Sequence, residues 1–196
     1  MDTFGYLELI IGPMFSGKTT RLIELYHSYK NQGKNVMVIN YSADKRYHES
    51  MLSTHDRVMI PCIFTDKLAG LTTVSNSEYN AADIILINEG QFFSDLYETV
   101  FHMVETSNKY VYICGLNADF RREKFGELLE LIPICDNVVY LTARCHDCNG
   151  KALHSHRICS SVEQVLIGSD IYVPLCRQCY NHRQTGMDEQ VAETII

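Results

Sequence analysis

No stretch of this 196-residue chain approaches the ~20 consecutive apolar residues that a helix needs to cross a bilayer. The N-terminus also lacks the basic segment, apolar segment and small-residue cleavage site of a secretion signal, which predicts a protein that stays in the cytosol. Low-complexity tracts and internal repeats are missing too, so disorder is expected only at the termini and a repeat array is excluded. Basic residues are the minority: 17 Lys and Arg against 24 Asp and Glu leave a formal net charge of −7. That sign argues against a polyanionic partner such as nucleic acid and leaves room only for local basic patches. What is present suits a globular chain long enough for one α/β core plus a small accessory module. Its eight cysteines, in a chain expected in the cytosol, point to thiols or metal ligands before disulfides.

The densest signal is Gly12-Pro13-Met14-Phe15-Ser16-Gly17-Lys18-Thr19, a full G-x-x-x-x-G-K-[ST] match entered from the apolar run Tyr6 to Ile11. Glycines let such a loop turn its N–H groups inward, Lys18 reaches the outer phosphates, and Thr19 is placed to hold Mg²⁺. The following helix aims its positive dipole end at the anion. A triphosphate is the expected ligand. The alternative, a chance glycine loop opening a helix, fits the context poorly because strand, loop and helix agree.

Periodicity predicts a helix from Lys18 to about Lys30, stopped by Gly33, and a strand at Val36–Ile39. Tyr41 to Arg57 is polar with little periodicity and reads as a flap beside the nucleotide site, or as a solvated face. Ile84–Ile87 and Tyr110–Cys114 are unbroken β-rich runs of the kind covered on both faces. Leu96, Val100, Met103 and Val104 have helical spacing between them. A further helix is expected from Glu127 to Leu131, ended near Pro133, and then a strand at Val138–Leu141. Strands alternating with helices imply a parallel sheet with helices on both faces, an α/β P-loop fold. The boundary falls near Thr142, giving a nucleotide-binding domain over 1–142, a small module over 143–186 and a tail over 187–196.

A P-loop needs an acidic group at the end of a neighbouring buried strand. Asn88-Glu89-Gly90-Gln91-Phe92-Phe93 supplies it, and Glu89 is the candidate general base; the alternative is a carboxylate that merely caps the next helix. Further on, Cys145-x-x-Cys148 and Cys176-x-x-Cys179 are two knuckles with 27 residues between them. Two such turns facing one another complete the S₄ set that Zn²⁺ favours, with no open position, so the metal is structural. His146, His154, His156 and His182 are of a type to substitute, but with the shell filled they are expected to be solvated or locally hydrogen-bonded. Cys62, Cys114, Cys135 and Cys159 lack metal spacing, and Cys114 has the character of apolar filler on a strand.

Taken in order, these features resemble the type II thymidine kinases, the cytosolic class also found in bacteria and large DNA viruses, over essentially the entire chain. The similarity extends to Asp44-Lys45-Arg46-Tyr47 with Thr54-His55-Asp56-Arg57 as the flap. It includes Gly115-Leu116-Asn117-Ala118-Asp119-Phe120-Arg121-Arg122-Glu123-Lys124-Phe125 as the substrate segment, and Cys176-Arg177-Gln178-Cys179-Tyr180 as the closing knuckle. The resemblance implies a RecA-like P-loop domain with a zinc-binding lasso. It also implies phosphoryl transfer from ATP with Mg²⁺ to the 5′-hydroxyl of thymidine, with deoxyuridine as a second acceptor, dTTP as feedback ligand and a cytoplasmic homotetramer. By position, Glu89 corresponds to the base, and Asp44 and Arg46 lie beside the phosphates, with Asn88 and Gln91 on the nucleotide side. Phe120 lies against the thymine, Val165, Leu166, Ile167 and Gly168 grip it through the main chain, and Tyr172 belongs to the closing loop. One departure stands out: the family's usual Asp before the base is Asn88 here. An amide can accept from a metal-bound water or ligate weakly, but it brings no charge. The bare motifs also allow a zinc-bearing ATPase that binds DNA, or a non-catalytic nucleotide sensor.

Overall fold

Tyr6 to Gly12 is a nearly continuous apolar run whose one interior charge is Glu8, and it forms β1, the strand that carries the phosphate loop. The computed structural model describes residues 4–44, 51–53, 57–168 and 170–194, with side chains through 185. After β1 come α1 (Lys18–Asn31), β2 (Val36–Tyr41), the short strands β3 (Met51–Ser53) and β4 (Met59–Pro61), and β5 (Ile63–Thr65). Next are α2 (Ser77–Ala81), β6 (Ile84–Ile87), α3 (Leu96–Phe101), β7 (Tyr110–Leu116) and β8 (Asn137–Tyr140). The remainder holds β9 (Ala143–Arg144), β10 (Lys151–Ala152), β11 (His154–Arg157), β12 (Tyr172–Leu175) and α4 (Arg177–Thr194).

Six strands make one sheet in the order β5-β2-β6-β7-β1-β8, and every pairing is parallel. Because side chains alternate faces along a strand, each central strand feeds two cores. Leu7, Leu9, Ile11, Ile85, Ile87, Val111 and Ile113 face one side, where Tyr79 of α2, Leu96 and Val100 of α3 and Leu128 close over them. Ile10, Val38, Leu86, Tyr112 and Cys114 face the other, beneath Leu22, Ile23 and Leu25 of α1. This is the two-sided burial expected of β-rich runs without alternation. β8 pairs on one side only and is largely exposed, so it closes the sheet as an edge.

Three local expectations change. The flap is not all loop: β3 and β4 pair antiparallel, anchored by buried Leu52 and Ile60, while Lys45, Arg46 and Tyr47 and also Thr54, His55 and Asp56 lie outside the described residues. The segment after Glu127 is a 3₁₀ helix, Leu128–Ile134, that runs through Pro133. A short i→i+3 segment forfeits a single bond at a proline, where a longer α-helix would also clash. The helix over 96–104 is divided, with α3 passing into a π-turn at His102–Thr106.

Candidate active site and metal centre

Parallel strands place their carboxyl ends on one edge, and β1, β6 and β7 bring the phosphate loop, Glu89 and the segment after Leu116 together there. The loop takes its shape from two left-handed residues, Phe15 (φ 63°) and Gly17 (φ 83°), and α1 starts directly after it. Lys18 is buried, and its Nζ donates to the Pro13 carbonyl at 2.7 Å. Gly12 is required by close approach, since a Cβ there would sit 2.4 Å from the Leu141 carbonyl oxygen. Ser16 Oγ is buried without a hydrogen-bond partner among the described residues, an orphan that a phosphate oxygen would satisfy, so the loop fits the triphosphate its sequence implies.

Glu89 follows β6 in the left-handed region (φ 57°), a strained position for a non-glycine residue. Gln91 Nε2 donates to its carboxylate at 2.6 Å, while Gln91 Oε1 accepts from the Leu116 N–H at 3.0 Å. The carboxylate is thereby tied to the end of β7.

Asn88 behaves differently from the sequence expectation. It is buried behind the loop, and a chain of bonds fixes which way its amide points. Asn40 Nδ2 donates to the Asp44 carbonyl (3.3 Å), so Asn40 Oδ1 faces Asn88 and accepts from its Nδ2 (2.8 Å). The Asn88 carbonyl then accepts from the Cys114 thiol (2.9 Å) and from Thr19 Oγ1 (3.4 Å). Burial, followed by the Glu89 charge, raises the Cys114 pKa to about 12, which keeps the thiol a donor. Both carbonyl lone pairs are therefore engaged by protein, the bond from Thr19 being the longer of the two. Cys114 is a polar partner as well as core filler.

A cavity of about 410 Å³ collects most of the candidate residues in one wall. Its lining includes Met14, Phe15, Ser16, Gly17, Lys18 and Thr19 from the phosphate loop and the start of α1, Asp44, and Glu89 and Gln91 after β6. Phe120, Val165, Leu166, Ile167, Gly168 and Tyr172 line the same cavity. Gly12, Pro13 and Asn88 support the wall from behind rather than lining it, and Arg46 lies outside the described residues. Several contributors carried no sequence signal. Ser155 on β11 accepts from the Met14 N–H at 2.9 Å, strapping the phosphate loop to the cysteine-bearing region. Gln164 Nε2 donates to buried Asp119 at 2.9 Å.

The four knuckle sulfurs, Cys145, Cys148, Cys176 and Cys179, all lie within 4.8 Å of one another. Zn–S bonds of about 2.3 Å in a tetrahedron put sulfurs about 3.8 Å apart, and Cys148 and Cys176 are separated by 3.7 Å. The donor set and its spacing fit a closed zinc site. Burial opposes ionisation of Cys145, yet the backbone N–H groups of Cys176, Cys148 and Asp147 together bring its pKa down to about 6. Arg183 of α4 clasps Asp147 with two bonds of 2.9 and 2.6 Å, which, with His146 beside it, holds that carboxyl down near 2. His146 and His182 are exposed as expected, whereas His156 is buried edge-on against Tyr180 with both ring nitrogens unpartnered.

Residues 5–180 match the family model described as thymidine kinase. The chain belongs to that family. It is 37% identical over 193 residues to thymidine kinase a of Arabidopsis thaliana, covering 96% of this chain and 81% of the relative. Against the thymidine kinase of Yaba monkey tumor virus the figures are 39% over 177 residues, 90% and 94%. Against the cytosolic thymidine kinase of Bos taurus they are 35% over 189 residues, 94% and 75%. Family membership makes the chain an enzyme of the kinase class, and no helix among the described residues is long and apolar enough to cross a membrane.

Proposed function

We propose that this enzyme transfers the γ-phosphoryl group of ATP to the 5′-hydroxyl of thymidine, and also of deoxyuridine, giving the nucleoside monophosphate and ADP. One observation carries the reading: a single cavity is lined by the phosphate loop, by the aromatic side chains Phe120 and Tyr172, and by Glu89, whose carboxylate is held by Gln91. Phe120 and Tyr172 supply the stacking area a pyrimidine needs. Val165 to Gly168 offer backbone groups for its polar edge, and deoxyuridine differs only by a methyl. Glu89, held by Gln91, accepts the proton of the 5′-hydroxyl as that oxygen attacks. Lys18 exchanges its bond to the Pro13 carbonyl for phosphate oxygens, Asp44 lies beside them, and Arg46, outside the described residues, has the same role only by the family resemblance. Thr19 would hold Mg²⁺, which neutralises charge on the transferring group when bound. Its hydroxyl proton is directed to Asn88, so its lone pairs are left to face the ion.

Residues 1–142 act as the nucleotide domain and 143–186 as a zinc-fastened lasso over the nucleoside, with 187–196 as a tail. Cytoplasmic location, a homotetramer and feedback by dTTP belong to the same reading and rest on the family resemblance alone. With ATP and Mg²⁺, labelled thymidine should appear as its 5′-monophosphate. ADP release that requires DNA and leaves thymidine unlabelled would instead favour a DNA-dependent ATPase. ATP binding with neither product would favour a sensor.

A further inference from the structure

Arg157 lies on β11, is 3% exposed and has no carboxylate partner among the described residues. All five of its N–H donors are nevertheless engaged. Nη1 donates to the carbonyls of Ser161 (3.0 Å) and Glu163, and Nη2 to the carbonyl of Gln164 (3.1 Å). Nε and Nη2 both reach the Tyr172 phenol oxygen, at 3.1 and 2.5 Å. Tyr172 in turn donates to the Leu166 carbonyl at 2.9 Å. The guanidinium also stacks on the Phe120 ring, 3.8 Å from its centroid.

We infer that Arg157 is the positioning residue of the nucleoside-holding loop: it does not touch the reacting atoms but sets the geometry of the groups that hold the base. A loop of this length without its own ladder must neutralise its carbonyls somewhere. Here they converge on one buried cation from 161, 163 and 164, and through Tyr172 from 166. The chain before Val165 is thus held by its carbonyls and the chain after Gly168 by the Tyr172 phenol, and Phe120 and Tyr172 both pack against the same guanidinium. A desolvated guanidinium over two aromatic faces, CZ being 5.1 Å from the Tyr172 ring, replaces the missing counter-ion in part by cation–π attraction. Lysine offers three donors on a flexible stem and cannot reproduce this fork.

The inference rests on the thymidine reading, and the experiment separates the two. Wild type, Arg157→Lys, Arg157→Gln and Tyr172→Phe are compared for thymidine KM, ATP KM, kcat, zinc content and Tm. Both Arg157 variants should raise thymidine KM at least ~10-fold, about 1.4 kcal/mol of binding, with ATP KM and zinc content close to wild type and a Tm lowered by the orphaned carbonyls. Tyr172→Phe, which keeps the three direct carbonyl bonds, should raise it less. Added ethylguanidinium should partly restore thymidine KM in Arg157→Gln and leave wild type unchanged. Unchanged thymidine KM in folded variants, or a parallel loss of ATP binding and zinc, would overturn the inference. Wild type that phosphorylates no nucleoside would instead remove the thymidine reading. If the Arg157 variants do not fold, Tyr172→Phe with unaltered thymidine KM is sufficient to overturn the clamp.

Discussion

The two ends of the cavity are built by different physics. The phosphate end is an extension of the sheet: β1, β6 and β7 are buried on both faces, and the loop that leaves β1 is shaped by backbone dihedrals and pinned against its neighbours. The nucleoside end has only short two-stranded pairs and a small cluster of Ala143, Cys145, Ala152, Leu175 and Tyr180 beneath it. What it lacks in buried area it replaces with convergent polar spokes and four thiols. An anion of fixed shape can be met by a rigid cradle, whereas a flat base must be admitted and then enclosed.

The comparison is broken most severely where the two ends meet. Glu89→Gln removes the proton acceptor and leaves both ends standing, so kcat should fall ~10²- to 10⁴-fold with the two KM values near wild type. Recovery of kcat at high Mg²⁺ in steady-state assays would show that Glu89 serves the metal instead.

Opening the nucleoside end alone is the next largest effect. Cys176→Ser, or zinc removal by a chelator, should raise thymidine KM at least ~10-fold, about 1.4 kcal/mol, while ATP binding measured by calorimetry changes little. Equal loss of both ligands would mean that the ends are not separable.

A smaller effect tests how tightly the phosphate end is wired. Asn88→Asp would set a buried carboxylate against Asn40 Oδ1. We expect a loss of about 1–3 kcal/mol, read as a lower Tm, and no fall in the Mg²⁺ requirement. Cys114→Ala leaves one Asn88 lone pair without its donor and should cost somewhat less, and Cys114→Ser should recover part of it. An Asn88→Asp enzyme with unchanged Tm that needs less Mg²⁺ would overturn this wiring.

The mildest test is acid. Burial first, and then nearby arginines, lower the pKa of both His154 and His156 below the usual histidine range. The unfolded chain then binds protons that the folded lasso region refuses, so its stability is complete above about pH 6.5 and declines as pH falls below it. Thymidine KM should rise between pH 7 and 5.5 ahead of ATP KM, in protein shown to retain its zinc. A matched rise in both would detach the histidines from the nucleoside end.

The same contrast explains what could be seen in the primary structure. The phosphate loop, Glu89 and the cysteine knuckles are short-range patterns whose chemistry needs particular residues at particular spacing. The central strands, buried on both faces, announce themselves as unbroken apolar runs. Arg157, Ser155, Asn40 and Gln164 follow no such pattern. Ser155, Asn40 and Gln164 work through partners distant in sequence, as in the bond from Met14 to Ser155, and Arg157 through carbonyls at irregular spacing, so these roles exist only once the chain is folded. Pro61 hid β4 and β5 by interrupting one apolar run, and the 3₁₀ character of Leu128–Ile134 was masked by helical spacing.

Only Leu141 and Thr142 separate β8 from β9, and Leu141 is itself fastened, its N–H donating to the Ile11 carbonyl at 2.8 Å. The nucleoside-holding part is therefore on a very short leash, anchored one strand away from the phosphate loop. Its release is never an escape into solution: at such a tether length its local concentration over the site stays in the millimolar range or above, and reclosure is a first-order event. The carbonyl of this same anchored residue is the group that a Cβ on Gly12 would meet at 2.4 Å. A methyl added at Gly12 would thus shift the peg as well as the cradle, and its effect would reach the far end of the cavity as slower capture of the base.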